Sequence, residues 1–188
     1  SIQSMRHMPG TAENFVRYGV ISPDGKTLAV VEARSGLSLR SVETGESHQL
    51  ILPEGFSFTG AIFPLVSWYP DGSQLLVSGS MSDGTPCAWA LPVLGGRAHK
   101  IIGDGNLATI AGDGSRIAYM HKGDIWCAGP NGEEPRRVVA SDSCGILTAW
   151  AVWSPRGQRL AYVRGLPGPQ GFRVWLESCD LEGHSRRI

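Results

Sequence analysis

What this sequence lacks narrows its role before any motif is read. It has no excess of either charge: Lys plus Arg is 17 and Asp plus Glu is 17, a formal charge of zero over 188 residues. Nucleic acid favours a basic face, so it is not the expected partner. There is no C-x-x-C pair. Cys87, Cys127, Cys144 and Cys179 stand 40, 17 and 35 residues apart, which argues against a zinc knuckle or a redox motif and leaves buried free thiols as the expectation. No apolar run is long enough to cross a bilayer. No segment sustains apolar residues at i, i+3, i+4 and i+7 for more than a turn, so no helix is expected. The opening Ser1-Ile2-Gln3 has no signal-peptide pattern and reads as the start of an excised piece.

Catalytic and ligand motifs are equally sparse. A nucleophile elbow G-x-S-x-G is absent; Gly55-Phe56-Ser57-Phe58-Thr59 fails at its last position. Gly103-Asp104-Gly105 and Ala111-Gly112-Asp113-Gly114 lack the P-loop Lys and the EF-hand ligand spacing, and read as turns. His7, His48, His99 and His184 lie on or near outer strands of different repeats, which diverge, so they read as surface residues. Neither a metal nor a cofactor is expected, and the chain is not expected to be an enzyme.

What is abundant is turn chemistry. Gly numbers 25 and Pro 12, spread along the chain, which suits many tight turns rather than a floppy linker. One turn is written four times: Ser22-Pro23-Asp24-Gly25-Lys26, Tyr69-Pro70-Asp71-Gly72-Ser73, Ala111-Gly112-Asp113-Gly114-Ser115 and Ser154-Pro155-Arg156-Gly157-Gln158. From residue 24 to 71, 113 and 156 the steps are 47, 42 and 43. Each copy leads into a short apolar run, such as Leu28-Ala29-Val30 or Leu160-Ala161-Tyr162. Short runs with period-2 alternation and close turn signals read as antiparallel meanders. Hairpin signals recur at Glu43–Glu46, Gly95-Gly96, Asn131-Gly132 and Glu182-Gly183.

Four-stranded meanders at this period mean propeller blades. The predicted fold is all-β, a β-propeller with four blades at about 15–52, 60–103, 106–140 and 147–188. Over 1–14, Ser4–Met8 reads as the outer strand of a preceding blade, followed by a lead-in. Since the fourth repeat has its own outer strand, the chain is expected to be part of a larger ring, and open blade edges would invite self-association. Ile21, Trp68, Ile110 and Trp153, three before the third turn residue, are expected to plug the core between blades. The Trp residues as a set read as core rather than a ligand cage.

These repeats resemble the TolB-type propeller repeat: an apolar residue or Trp, then Ser-Pro-Asp-Gly, then a polar residue and an apolar strand. The resemblance covers nearly the whole chain, with departures at Tyr69, Ala111-Gly112 and Arg156. It implies a ring of six to eight blades. Glu13–Val16, Ser41–Glu46 and Trp68–Gly72 are further similar to propellers at the C-terminus of bacterial sensor proteins, which carry a serine/threonine kinase or winged-helix domain. That likeness implies a sensing or interaction module in the bacterial periplasm or on the extracytoplasmic side of a membrane-anchored parent.

Propeller geometry then divides the loops. First-to-second and third-to-fourth turns share one end, here the repeated one. The other end takes the varied loops, at 32–36, 53–60, 80–85, 121–124, 141–145 and 164–172. Function favours varied loops on a rigid scaffold, so Glu32, Arg34, Asp83, His121, Lys122 and Arg164 are the candidate binding residues. The expected function is a non-catalytic module for protein or ligand interaction. The alternatives are the substrate-gating propeller of a serine peptidase and a periplasmic scaffold resembling TolB.

Overall fold

The structure, a computed structural model, describes residues 16–32, 36–58, 66–141, 146–147, 151–168 and 171–188. Ser4–Met8, Arg34 and Cys144 lie outside these residues. The first sheet is a meander of β1 (Val16–Ile21), β2 (Thr27–Glu32), β3 (Gly36–Ser41) and β4 (Ser47–Gln49). The second comprises β5 (Phe56–Ser57), β6 (Val66–Trp68), β7 (Gln74–Met81), β8 (Pro86–Pro92) and β9 (His99–Ile102), with β5 and β6 both pairing to β7. The third is β10 (Asn106–Ile110), β11 (Ile117–His121), β12 (Asp124–Ala128) and β13 (Arg136–Val139). The fourth is β14 (Ile146–Leu147), β15 (Val152–Trp153), β16 (Arg159–Gly168), β17 (Gly171–Asp180) and β18 (Ser185–Arg187). All pairings are antiparallel, and no helix occurs among the described residues. None is therefore long and apolar enough to cross a membrane.

The sheets pack face to face as blades, and the core lies between them. Ala29, Val31, Leu37 and Leu39 of the first blade meet Trp68, Leu75, Val77 and Cys87 of the second. Leu76, Ala88 and Ile102 meet Ala108, Ile110, Ile117 and Tyr119 of the third. Ala118, Ile125 and Cys127 meet Leu160, Tyr162 and Cys179 of the fourth. The inner strands run in chain order, β1 beside β6, β6 beside β10 and β10 beside β15. This is propeller architecture.

The repeated turns build the axis end. In the first three copies the Asp carboxylate accepts the backbone N–H two residues on: Asp24 from Lys26 at 3.1 Å, Asp71 from Ser73 at 3.0 Å and Asp113 from Ser115 at 3.0 Å. The fourth has Arg156 at that place, and the Ser154 hydroxyl accepts the N–H groups of Gln158 and Arg159 instead. The turn glycines share φ between 65° and 74°, which a side chain adopts only with strain. The pre-turn plugs behave as predicted in three blades. Trp68 donates its indole N–H to the Val20 carbonyl at 3.0 Å, and Trp153 donates to Thr109 at 3.1 Å. Ile110 packs without a bond to give, and the Ser78 hydroxyl accepts the Ala108 N–H across that junction. Ile21 differs: it is exposed, and no described blade packs on its side.

Two predicted loops are strands. The second blade begins at Phe56, not near 60: Phe56 pairs with Met81 and Ser57 with Ser80. Gly79 allows this, because a Cβ there would run into the Ser57 carbonyl and the Phe56 ring. The expected loop at 164–172 is a long hairpin in which pairing runs through Leu166–Arg173 and Pro167–Phe172 to Gly168–Gly171. Pro167, Gly168 and Gly171 lie towards its tip, and Gly165 pairs with Val174 within the ladder.

Candidate functional site

The structure gives the candidate residues of the varied loop end separate tasks. Glu32 ends β2 and pairs with Arg40 on β3 at 3.5 Å. Asp83 accepts the Thr85 backbone N–H at 2.8 Å, which closes the turn from β7 to β8. That bond holds its carboxyl below the ordinary carboxylate value. Lys122, with φ 50°, and Gly123, with φ 85°, form the two-residue turn between β11 and β12, and both are exposed. Positive φ at both positions is what a tight hairpin requires. His121 places Nδ1 at 2.6 Å from the Asp104 carbonyl. Since a carbonyl only accepts, Nδ1 carries the proton. The ring stands edge-to-face on Trp126 at 5.5 Å.

Arg164 is not a loop residue. It lies within β16, only 6% exposed. Its Nε donates to Glu177 Oε2 at 3.0 Å and its Nη1 to the Ala140 carbonyl at 3.3 Å. The other Glu177 oxygen accepts the Trp175 indole N–H at 2.7 Å. Burial alone would raise the Glu177 pKa, but the hydrogen bonds from Trp175 and Arg164 and the Arg164 charge hold the group below its ordinary value. Burial, helped by Glu177, pushes the Tyr162 phenol up to about 12. Arg164 thus stitches the fourth blade to the strand exit of the third. No sequence spacing announces this, because it depends on the hairpin register that sets Arg164 opposite Trp175.

The cysteines and histidines offer little chemistry. Cys87, Cys127 and Cys179 are free and buried. Burial pushes Cys127 up to about 12 and Cys179 to about 11, and Cys87 moves the same way. That is the reverse of an activated nucleophile. His48, His99 and His184 are exposed. The one described group able to offer three ligands to a cation is Asp180, Glu182 and His184. There Asp180 accepts the His184 N–H at 2.9 Å and faces its imidazole at 3.1 Å, so the group closes the hairpin from β17 to β18.

A second surface emerges only from comparing the junctions at the outer rim. In the third blade, a Cβ on Gly132 would run into the Ile101 carbonyl of the second blade. In the fourth, a Cβ on Gly183 would run into the Val138 carbonyl of the third. These hairpin glycines bring their turns into contact with the blade before. Gly95, the counterpart of Gly132 in the second blade, has open space where its Cβ would point. Here a groove of about 580 Å³ remains between the first two blades, lined by Leu39, His48, Leu50, Leu91, Val93 and Gly96 among others. Ile51, 93% exposed, and Leu94, 99% exposed, stand at its margin. None of its lining residues is an acid, Lys or Arg.

No family model matches this chain, and no curated protein matches it in sequence. Solved structures do match in fold. An oligogalacturonate lyase solved in complex with manganese is similar at TM-score 0.71 and 19% identity, over 90% of this chain and 52% of the lyase. A puromycin hydrolase is similar at TM-score 0.67 and 19% identity, over 94% of this chain and 29% of that protein. A prolyl endopeptidase is similar at TM-score 0.64 and 14% identity, over 94% of this chain and 26% of that one. The chain thus spans about half the length of the lyase and less of the others. At these identities the likeness shows the propeller fold alone.

Proposed function

We propose that this chain is a non-catalytic propeller region that holds a protein partner, and that the partner enters the rim groove between the first and second blades as an extended apolar segment. The apolar groove beside Gly95, where the hairpin stands clear of the blade before, carries this reading. The groove runs along the edge of β4, whose three residues pair only with β3 among the described residues, and an extended segment can add to such an edge. Its uncharged lining and the exposed Ile51 and Leu94 select apolar side chains. The balanced charge favours protein over nucleic acid. Of the described loop-end candidates, Glu32, Asp83, His121 and Arg164 are already engaged within the propeller, which leaves Lys122 as the exposed cation among them. Selection of displayed extended peptides against the chain should enrich alternating apolar sequences that bind wild type and lose binding to Leu94→Glu and Ile51→Glu. Peptides indifferent to both variants but lost in Lys122→Glu would move the site to the loop end.

A second reading has one observation behind it: the fold likeness to a prolyl endopeptidase and a puromycin hydrolase, of which this chain spans about a quarter. In that reading the chain gates substrate for a hydrolase domain elsewhere in its polypeptide. The sensor reading rests on the residues at 13–16, 41–46 and 68–72, and places the chain on the extracytoplasmic side of a membrane-anchored parent. A G-x-S-x-G domain in the same polypeptide would favour the first of these, and a kinase or winged helix the second.

A further inference from the structure

We propose that the groove between the second and third blades binds a neutral saccharide. This cavity, of about 510 Å³, lies one junction on from the apolar groove, and its lining has a different chemistry. Tyr69, Ser73, Gln74 and His99 line it from the second blade, and Asn131 from the hairpin of the third. Leu76 lies opposite Ala90, and Ala90 opposite His99. Gln74, two residues before Leu76, therefore shares one face of the sheet with Ala90 and His99. That face looks towards the third blade, since Leu76 packs on Ile110 and Ile117. No acid, Lys or Arg lines the groove.

The polar groups here suit a ligand rich in hydroxyls. A sugar hydroxyl both donates and accepts, and so does a side-chain amide. Gln74 and Asn131 bring two such amides, and neither amide, nor the His99 ring, has a hydrogen-bond partner among the described residues. Ser73 donates its hydroxyl proton to Asp71 at 2.8 Å, and Tyr69 donates its own to the Pro130 carbonyl at 3.2 Å. Both oxygens keep lone pairs that can accept. Burial, then the charges of Asp71 and Glu133, push the Tyr69 phenol up to about 12, so it stays protonated. The neighbouring carboxylates are engaged beside the groove: Asp71 accepts from Ser73, and Glu133 accepts the Asn131 backbone N–H at 2.8 Å. A charged ligand would meet no opposite charge in the lining. A wholly apolar one would cover the amides and the imidazole without pairing them, which costs binding. Between the polar groups, Tyr69, Ala90, Pro92 and Ile101 offer apolar surface to the C–H face of a sugar ring. An added peptide strand would instead pair through backbone groups of a sheet edge, whereas here side chains carry the donors and acceptors.

An array of neutral and acidic oligosaccharides, probed with the labelled 188-residue chain, tests this. Neutral glycans should retain the chain, and uronate-bearing or sulfated ones should not. In calorimetric titration of the best-retained glycan, Gln74→Ala and Asn131→Ala should each weaken binding about fivefold, as expected for one lost neutral hydrogen bond. Leu94→Glu, in the other groove, should leave it unchanged. Neither Gln74 nor Asn131 belongs to the buried core, so both variants should keep the wild-type urea midpoint. His99→Ala, at an exposed position, should weaken binding as well and gives a check outside the hairpin. Retention by acidic glycans alone, or by none, would overturn the proposal. So would a glycan that binds wild type and all three variants equally. Displayed peptides that bind wild type and lose binding to Gln74→Ala and Asn131→Ala, with no glycan retained, would overturn it in favour of a peptide site.

Discussion

The junction between blades one and two and the junction between blades two and three are made from the same repeat, yet they close differently at the rim. Near the axis they are close equivalents. Trp68 docks on Val20 in one and Ile110 in the other, and the turn glycines Gly72 and Gly114 approach Pro23 and Pro70 of the blade before. At the rim they diverge. The second junction adds the Tyr69 hydroxyl on the Pro130 carbonyl at 3.2 Å and Gly132 against Ile101. The first has neither, and its groove of about 580 Å³ is lined mostly by apolar residues, while the groove of about 510 Å³ at the second includes Tyr69, Ser73, Gln74, His99 and Asn131. Axis contacts come from residues that the repeat specifies. Rim contacts come from hairpins, which vary freely in sequence because each closes on itself. Function can therefore settle at the rim without disturbing the axis.

Trp68→Ala should break the first junction most severely. It removes a large buried side chain together with its bond to Val20, and the loss should be about 3–5 kcal/mol in urea unfolding. Trp68→Phe, which keeps most of the packing and drops the bond, should cost about 1 kcal/mol. A loss in Trp68→Ala no larger than in Trp68→Phe would mean that the groove already loosens the junction.

Gly132→Ala and Gly95→Ala sharpen the contrast at the rim. Both glycines have similar φ, 85° and 89°, so each substitution carries the same backbone strain of about 1 kcal/mol. Only Gly132→Ala also drives a methyl into the preceding blade. It should destabilise clearly more than Gly95→Ala, and the difference between the two unfolding midpoints measures that contact. Equal midpoints would show that the hairpin gives way and that the second junction is no tighter.

The smallest effect should be common to both junctions. Asp24 is held below the ordinary 3.8 by the Ser22 hydroxyl and then the Lys26 N–H, and Asp71 and Asp113 by the N–H groups of Ser73 and Ser115. A carboxyl with a depressed folded pKa stabilises fully above 3.8, and that contribution fades as the pH falls through the lower folded values. Urea midpoints should therefore drop below pH 3.8, and Asp71→Asn should flatten that limb by a similar amount to Asp113→Asn. The fourth turn, with Arg156, adds nothing to it.

Much of the fold was legible because the period and the turn residues act locally. Pro presets φ, Gly permits the positive φ, and Asp or Ser accepts N–H groups two to five residues on, all within one turn. The plug positions at Trp68, Ile110 and Trp153 were legible for the same reason, since they keep a constant distance from that turn. The strand at Phe56–Ser57 was hidden because the residue that makes room for it, Gly79, signals permission rather than preference. The site was mostly hidden. Arg164 looked like a loop cation, and its pairing with Glu177 and Ala140 exists only in the hairpin register and across a blade boundary.

By itself the sequence determined the β-propeller class, the number of repeats in this chain, the axis end with its stacked turns, and the burial of its described cysteines. These follow from interactions spanning a few residues, or from a periodicity that many copies reinforce. The tertiary structure alone decided which hairpin meets the blade before it and which stands clear, and that Arg164 is a buried tie. Each of those depends on how close two backbones distant in sequence come. The carbonyl against Gly132 is felt only once the blades are side by side, and the missing Cβ at Gly79 only once β5 meets β7 within one blade.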